Sequence, residues 1–122
     1  MHFDASSIVP LYQQITTQFT AGILSGAFPE GEQVPSTTEV ARAYALNPAT
    51  VLRGMNALVD AGLLEKRRGI GMFVVAGAQA QLRQAAQADF FDQRVGAVVA
   101  EAKTLAIPKA ALVAAIERGY EE

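Results

Sequence analysis

Leu11, Ile15, Phe19 and Ile23 recur at steps of four, with Tyr12 beside them, while Gln13, Gln14, Thr17, Gln18 and Thr20 fill the intervening positions. That spacing predicts one amphipathic helix, with Pro10 suited to its first turn and Gly26 to its end. Residues 27–34 carry Pro29 and Gly31 and read as a loop. Ser36-Thr37-Thr38-Glu39 has the capping-box order and opens a second, short helix that buries Val40, Ala41 and Tyr44, with Leu46 closing the turn after it. Asn47 and Pro48 open a third helix by separate rules, Asn as a preferred cap and Pro as a tolerated first residue; Gly62 ends it.

On a 100° projection the third helix gathers Val51, Leu52, Met55, Leu58 and Val59 on one arc, and Ala49, Thr50, Arg53, Asn56, Ala57 and Asp60 on the other. Two strand-like runs follow, Leu63–Lys66 and Met72–Val75, joined by Arg67-Arg68-Gly69-Ile70-Gly71. The paired glycines allow positive φ at a hairpin tip. Helix, helix, tight break, helix and hairpin is the order of a winged helix-turn-helix.

Beyond Ala76 the chain becomes rich in Ala and Gln, which favour helix. Leu82, Ala86, Phe90 or Phe91, Val95, Val98, Val99, Ala102 and Leu105 mark a stripe along one long helix, with Gly96 a weak point. Pro108 starts another, containing Leu112, Val113, Ile116 and Tyr120. The expected class is therefore mainly α with a small β-hairpin: a winged domain over residues 1–77 and a two-helix extension over 78–122. Two helices cannot enclose a core of their own, so their stripe must pack on the winged domain or on a second copy. Residues 1–8 are weakly patterned and read as a mobile arm or as an edge against a partner subunit.

Composition narrows the function. At 122 residues the chain holds one domain and an appendage, and it has no cysteine for disulfides or thiolate metal sites. No apolar run reaches the roughly 18–20 residues of a membrane span, and the start MHFDASSIVPLYQQ lacks the pattern of a secretory signal; a cytoplasmic location is expected. The only histidine is His2, and neither a Ser-His-Asp set nor metal-ligand spacing occurs, so neither an enzyme, a cofactor nor a metal site is expected.

Net charge is −2, which argues against a binder held on nucleic acid by bulk positive potential. The charges are nevertheless placed. Within residues 1–77 the cations are Arg42, Arg53, Lys66, Arg67 and Arg68, and all but Arg42 lie on the third helix or the hairpin. A helix face with small residues at its start and one Arg and one Asn further along can enter a major groove about 12 Å wide. The candidate DNA-contacting residues are Ser36, Thr37 and Thr38 at a helix start, Asn47, Ala49, Thr50 and Arg53 on the third helix, and Lys66, Arg67, Arg68, Gly69, Ile70 and Gly71 on the wing. Ser36 and Thr37 serve equally as plain helix caps, and the free amides there can also receive a phosphate oxygen. Gly69-Ile70-Gly71 does not open a helix after a strand, which rules out a dinucleotide-binding loop.

The blocks PLYQQI, ILSG, PEGEQVPS, ATV and GLLEKRRGIGMFVV, in that order over residues 9–75, resemble the N-terminal domain of GntR-type bacterial transcription regulators. The short two-helix tail and Asn47-Pro48-Ala49-Thr50-Val51 resemble the YtrA-like subgroup. The resemblance implies a homodimer joined through residues 78–122 and bound to double-stranded DNA, repressing an operon, commonly one for an ABC-type transporter. Many relatives have arginine where Thr38 stands, basic residues at the places of Pro48 and Leu52, and other wing residues than Ile70 and Met72. Fewer cations mean fewer phosphate contacts and a binder that depends on dimerisation. The other function left open is a winged-helix protein-interaction module that has lost DNA binding, and a small-molecule effector, held between the C-terminal helices and the winged domain or at the dimer interface, is left open as well.

Overall fold

The computed structural model describes residues 1–122. Its elements are α1 (Leu11–Ser25), α2 (Thr37–Ala43), α3 (Pro48–Asp60), β1 (Leu64–Arg67), β2 (Gly71–Val74) and α4 (Ala78–Asp89), then a π-helical turn over Phe90–Val95, α5 (Gly96–Thr104) and α6 (Lys109–Glu121). Packing divides them into two units, Met1–Arg83 and Gln84–Glu122.

In the first unit, the four-residue stripe of α1 becomes the centre of the core: Ile15, Phe19 and Ile23 are fully buried, together with Val51, Met55 and Leu58 of α3. Val34, Val40, Leu64 and Val74 close the remaining sides. Gly26 ends α1 in the left-handed region (φ 86°), its amide donating to the Ile23 carbonyl. The hairpin is antiparallel, with Leu64 opposite Val74 and Arg67 opposite Gly71.

Three sequence expectations change. The segment before α2 is more than a loop, because Val34 donates to the Met72 carbonyl and Val74 to that of Glu32, both at 3.0 Å, so residues 32–34 lie along the outer edge of β2. Phe28, inside the same segment, stacks on Phe19 with centroids 5.1 Å apart. The N-terminal residues are not a loose arm. Gln14 Nε2 donates to the carbonyls of Asp4 and Val9, its Oε1 accepts from the Asp4 amide, and Gln18 makes the same two-way exchange with His2. Phe3 meets Tyr44 edge-on at 5.0 Å, and the Ser6 hydroxyl and amide, donating to Asp4, hold that carboxyl below its ordinary range. Two glutamines on the wet side of α1 thus act as clips for a neighbouring strand of backbone.

The third change is Tyr44, expected to be buried with Val40 and Ala41 but 39% exposed just past the end of α2. The start of α4 packs in the first unit. Ala78 is buried in the first unit, Gln79 Nε2 donates to the Leu24 carbonyl at 3.0 Å, and the Glu30 carboxylate accepts the Gln79 amide at 3.0 Å. Backbone donors at Gly77 first, and then at Gln79, keep the Glu30 carboxyl below its ordinary range. A loop acid therefore caps α4, whose first residues belong to the unit Met1–Arg83.

In the second unit, Ala102 is the one buried side chain, and Phe90, Phe91, Val95, Val98 and Val99 of the long stripe stay exposed, as do Val113, Ile116 and Tyr120 of α6. The spacing of the π-helical turn suits Phe90 as the residue that continues the stripe. Steps of four reach Phe90 from Leu82 through Ala86, and a five-residue step, the spacing of a π turn, carries it to Val95. No helix is long and apolar enough to cross a membrane.

Candidate nucleic-acid interface

Two helix starts and the hairpin tip carry the candidate residues. At α2, Ser36 Oγ accepts the Glu39 amide at 3.0 Å and Glu39 Oε1 accepts the Ser36 amide at 3.3 Å, a complete capping box. The amides of Thr37 and Thr38, in the first turn, have no intrahelical acceptor. At α3, Asn47 Oδ1 accepts the Ala49 amide at 2.8 Å, so this side chain is engaged as a cap.

The exposed face of α3 carries Ala49, Leu52, Arg53 and Asn56, with Thr50 half-buried at its edge. Leu52 was expected in the core but is 38% exposed. The buried arc instead runs through Val51, Gly54, Met55 and Leu58, because α1 approaches α3 at Gly54 and turns Leu52 outward. The Arg53 guanidinium carbon lies over the Tyr12 ring, 3.7 Å from its centroid.

In the wing, Ile70 donates to the Arg67 carbonyl to close the tip, and Gly69 takes φ 76°. Gly71 combines φ 141° with a close neighbour, since a Cβ there would stand 2.5 Å from Gln33 Nε2. That same amide donates to the Ile70 carbonyl at 2.8 Å and fixes the tip from outside the hairpin. The wing cations are unequal. Arg67 gives both Nη2 and Nε to Glu65 Oε1, at 2.8 and 2.9 Å, and its guanidinium covers Phe73 at 3.9 Å. Lys66 and Arg68 have no carboxylate partner.

Three elements meet around one open cleft lined by Ser36, Thr37, Thr38, Leu52, Lys66, Arg67, Gly69, Ile70, Gly71 and Met72. A second opening along α3 is lined by Tyr12, Ala49, Leu52, Arg53, Asn56, Ala57 and Asp60; Thr50 and Arg53 also line a third with Ala5, Ser7, Val9, Pro10, Leu11 and Tyr12. The structure thus gathers every candidate except Asn47 and Arg68 onto these openings. Sequence reading missed Tyr12, Gln33 and Leu52. Tyr12 carried a signal of its own, standing just off the apolar stripe on the side that faces α3, whereas no local pattern marks Gln33.

Comparison with known proteins agrees with this architecture. Residues 11–74 match the model of the family described as bacterial regulatory proteins, gntR family. The chain is similar to the HTH-type transcriptional repressor YtrA of Bacillus subtilis, at 32% identity over 82 residues, which cover 67% of this chain and 63% of that protein. It spans less than two thirds of the length of the curated relatives it first matches. Among solved structures, a putative transcriptional regulator of the GntR family from Bacteroides thetaiotaomicron superposes with a TM-score of 0.70 at 27% identity, covering 90% of this chain and 96% of that one. The AraR DNA-binding domain, solved in complex with operator ORX1, shares the fold at 23% identity and a TM-score of 0.56, over 62% of this chain and 93% of that domain. The family match spans more than half of the chain and contains α1 through β2, the elements that build both openings, so the chain belongs to the GntR family of bacterial regulatory proteins.

Proposed function

We propose that the chain is a cytoplasmic, sequence-specific DNA-binding repressor that acts as a homodimer on an inverted-repeat operator. The observation that carries this reading is the cleft shared by the α2 start, Leu52 of α3 and the wing, bordered by Lys66 and Arg67, with the opening that Arg53 lines beside it along α3. The exposed face of α3 enters the major groove, Arg53 reads a base edge there, the first-turn amides of α2 receive a phosphate, and Lys66 and Arg68 approach the backbone or minor groove. Membership of a family of bacterial regulatory proteins supports the same assignment.

Residues 78–122 join two copies. Phe90, Val95, Val98 and Val99 form an apolar face exposed in the single chain, and a second copy is the occupant that turns one reader into two. Two-fold symmetry then places half-sites about 34 Å apart or at a multiple of that spacing. The regulated genes form an operon, with genes for an ABC-type transporter as the first candidates to test. Arg67, held by Glu65, lowers the wing's free charge, which is the feature that favours a protein-interaction module instead.

A mobility-shift titration with the promoter of the chain's own operon tests the reading. The expected result is retardation at low salt by a dimer whose affinity falls steeply as salt rises. A folded dimer that shifts no DNA at low salt would favour the interaction module.

A further inference from the structure

We propose that Tyr12, on α1 and outside the helix-turn-helix, is the positioning residue that sets the direction of the Arg53 guanidinium before DNA arrives; this rests on Arg53 reading a base. The contact is built by helix packing. Where α1 crosses α3, a Cβ at Gly54 would lie 2.7 Å from the Tyr12 carbonyl oxygen and 2.8 Å from Ile15 Cγ2, an approach only glycine permits. The Thr16 hydroxyl bridges the same point, 3.1 Å from the Tyr12 carbonyl oxygen and 3.0 Å from that of Gly54. With the backbones locked at Tyr12 and Gly54, the ring falls beneath the residue next to Gly54, which is Arg53.

Stacking is the mode of restraint that leaves an arginine able to read. A guanidinium carbon 3.7 Å from the ring centroid leaves no room for an N–H aimed into the ring, so contact is through the guanidinium's face; the N–H donors lie in the plane of the fork, free for two parallel bonds to guanine O6 and N7. A carboxylate would occupy those same donors, as Glu65 does for Arg67; Arg53 has none within 4.0 Å. Freezing a long side chain ahead of binding removes an ordering cost equivalent to about a 2- to 10-fold change in affinity. Because the restraint acts on one fork, its loss falls on one base pair rather than on all sequences.

The test is a randomised-site binding selection with the full chain, followed by affinities on the selected operator and on single-base variants. Wild type, Tyr12→Phe, Tyr12→Leu, Arg53→Ala and the Tyr12→Leu/Arg53→Ala pair are compared. Tyr12→Phe keeps the ring and should keep the preference. Tyr12→Leu should lose about 2- to 10-fold of discrimination at the base pair that Arg53→Ala also relaxes, and should add nothing in the Arg53→Ala background. Equal effects of Tyr12→Leu in both backgrounds, or a Tyr12→Phe as impaired as Tyr12→Leu, would overturn the positioning role alone. A wild type that enriches no sequence, or an Arg53→Ala that changes no base preference, would bring down the base-reading assignment and this role with it. Nuclear magnetic resonance of the free protein supplies a readout that needs neither DNA nor the leucine variant. The Arg53 side-chain signals should show a ring-current shift and restricted motion in wild type and Tyr12→Phe, and a freely rotating Arg53 in wild type would refute the proposal.

Discussion

Gly54→Ala separates two effects that oppose each other. In a helix interior, alanine is favoured over glycine by about 1 kcal/mol through propensity. Here, however, the new methyl would stand 2.7 Å from a backbone oxygen and 2.8–2.9 Å from two carbons of Ile15, a fully buried side chain. Neither neighbour is the free end of a flexible group, so the helices must separate. Overpacking of this kind costs about 1–3 kcal/mol, and the Thr16 bridge lost on separation adds about 1 kcal/mol. The net is a destabilisation of about 1–3 kcal/mol, at about 4–8 °C of melting temperature per kcal/mol for a unit of this size. Gly96, also helical, has nothing within 4 Å of a built Cβ and serves as the control. Gly96→Ala should gain about 0.4–1 kcal/mol. Thermal melting followed by circular dichroism reads both. A Gly54→Ala protein that melts at or above the wild-type temperature would refute the close approach of α1 and α3 as a constraint, and with it the packing beneath Tyr12.

Further outcomes follow from the charges and the exposed face. Glu65→Gln should leave melting nearly unchanged, since a half-exposed ion pair contributes about 0–1 kcal/mol; by freeing Arg67 it should steepen the log–log salt dependence of DNA affinity by up to about 0.9. An unchanged slope would mean that Arg67 already reaches phosphate or never does. For Glu30, whose folded pKa is depressed below the usual glutamate value of about 4.3, the added stability is present above that value and is lost as pH falls through the lower folded one. Glu30→Gln should therefore be less stable at neutral pH and should lose less stability between about pH 5 and 3; parallel acid-melting curves for the two proteins would contradict the cap. Val98→Asp, at a position half-exposed in the single chain, should keep the first unit folded and shift sedimentation from dimer to monomer, and an undisturbed dimer would remove this face from the interface.

Most of the winged domain was legible because its signals are local. Both helix starts stood in the sequence as caps that need only three or four consecutive residues, Ser36 to Glu39 and Asn47 to Ala49, and the structure forms both. The hairpin was read from two short runs around paired glycines. What escaped depends on side chains reaching across long separations. Gln33 meets Ile70, thirty-seven residues away, and Tyr12 meets Arg53, while neither pairing leaves a periodic trace. Residues 1–8 lacked any pattern because their order comes from Gln14 and Gln18 on α1. Leu52 was misplaced for a related reason: an apolar arc drawn on one helix cannot show that its neighbour will close on a glycine.

The π-helical turn at Phe90–Val95 has an implication for how this segment tolerates change in length. A helix that gains one residue would ordinarily rotate everything beyond it by about 100°, turning Val98, Val99 and Ala102 away from the side that Ala86 occupies. Confining the extra residue to one wide turn absorbs the rotation locally, and the apolar faces before and after it stay in line. Deletion of a single polar residue within the turn, Asp92 or Gln93, should therefore leave an uninterrupted α-helix with Ala86, Val98 and Val99 still on one side.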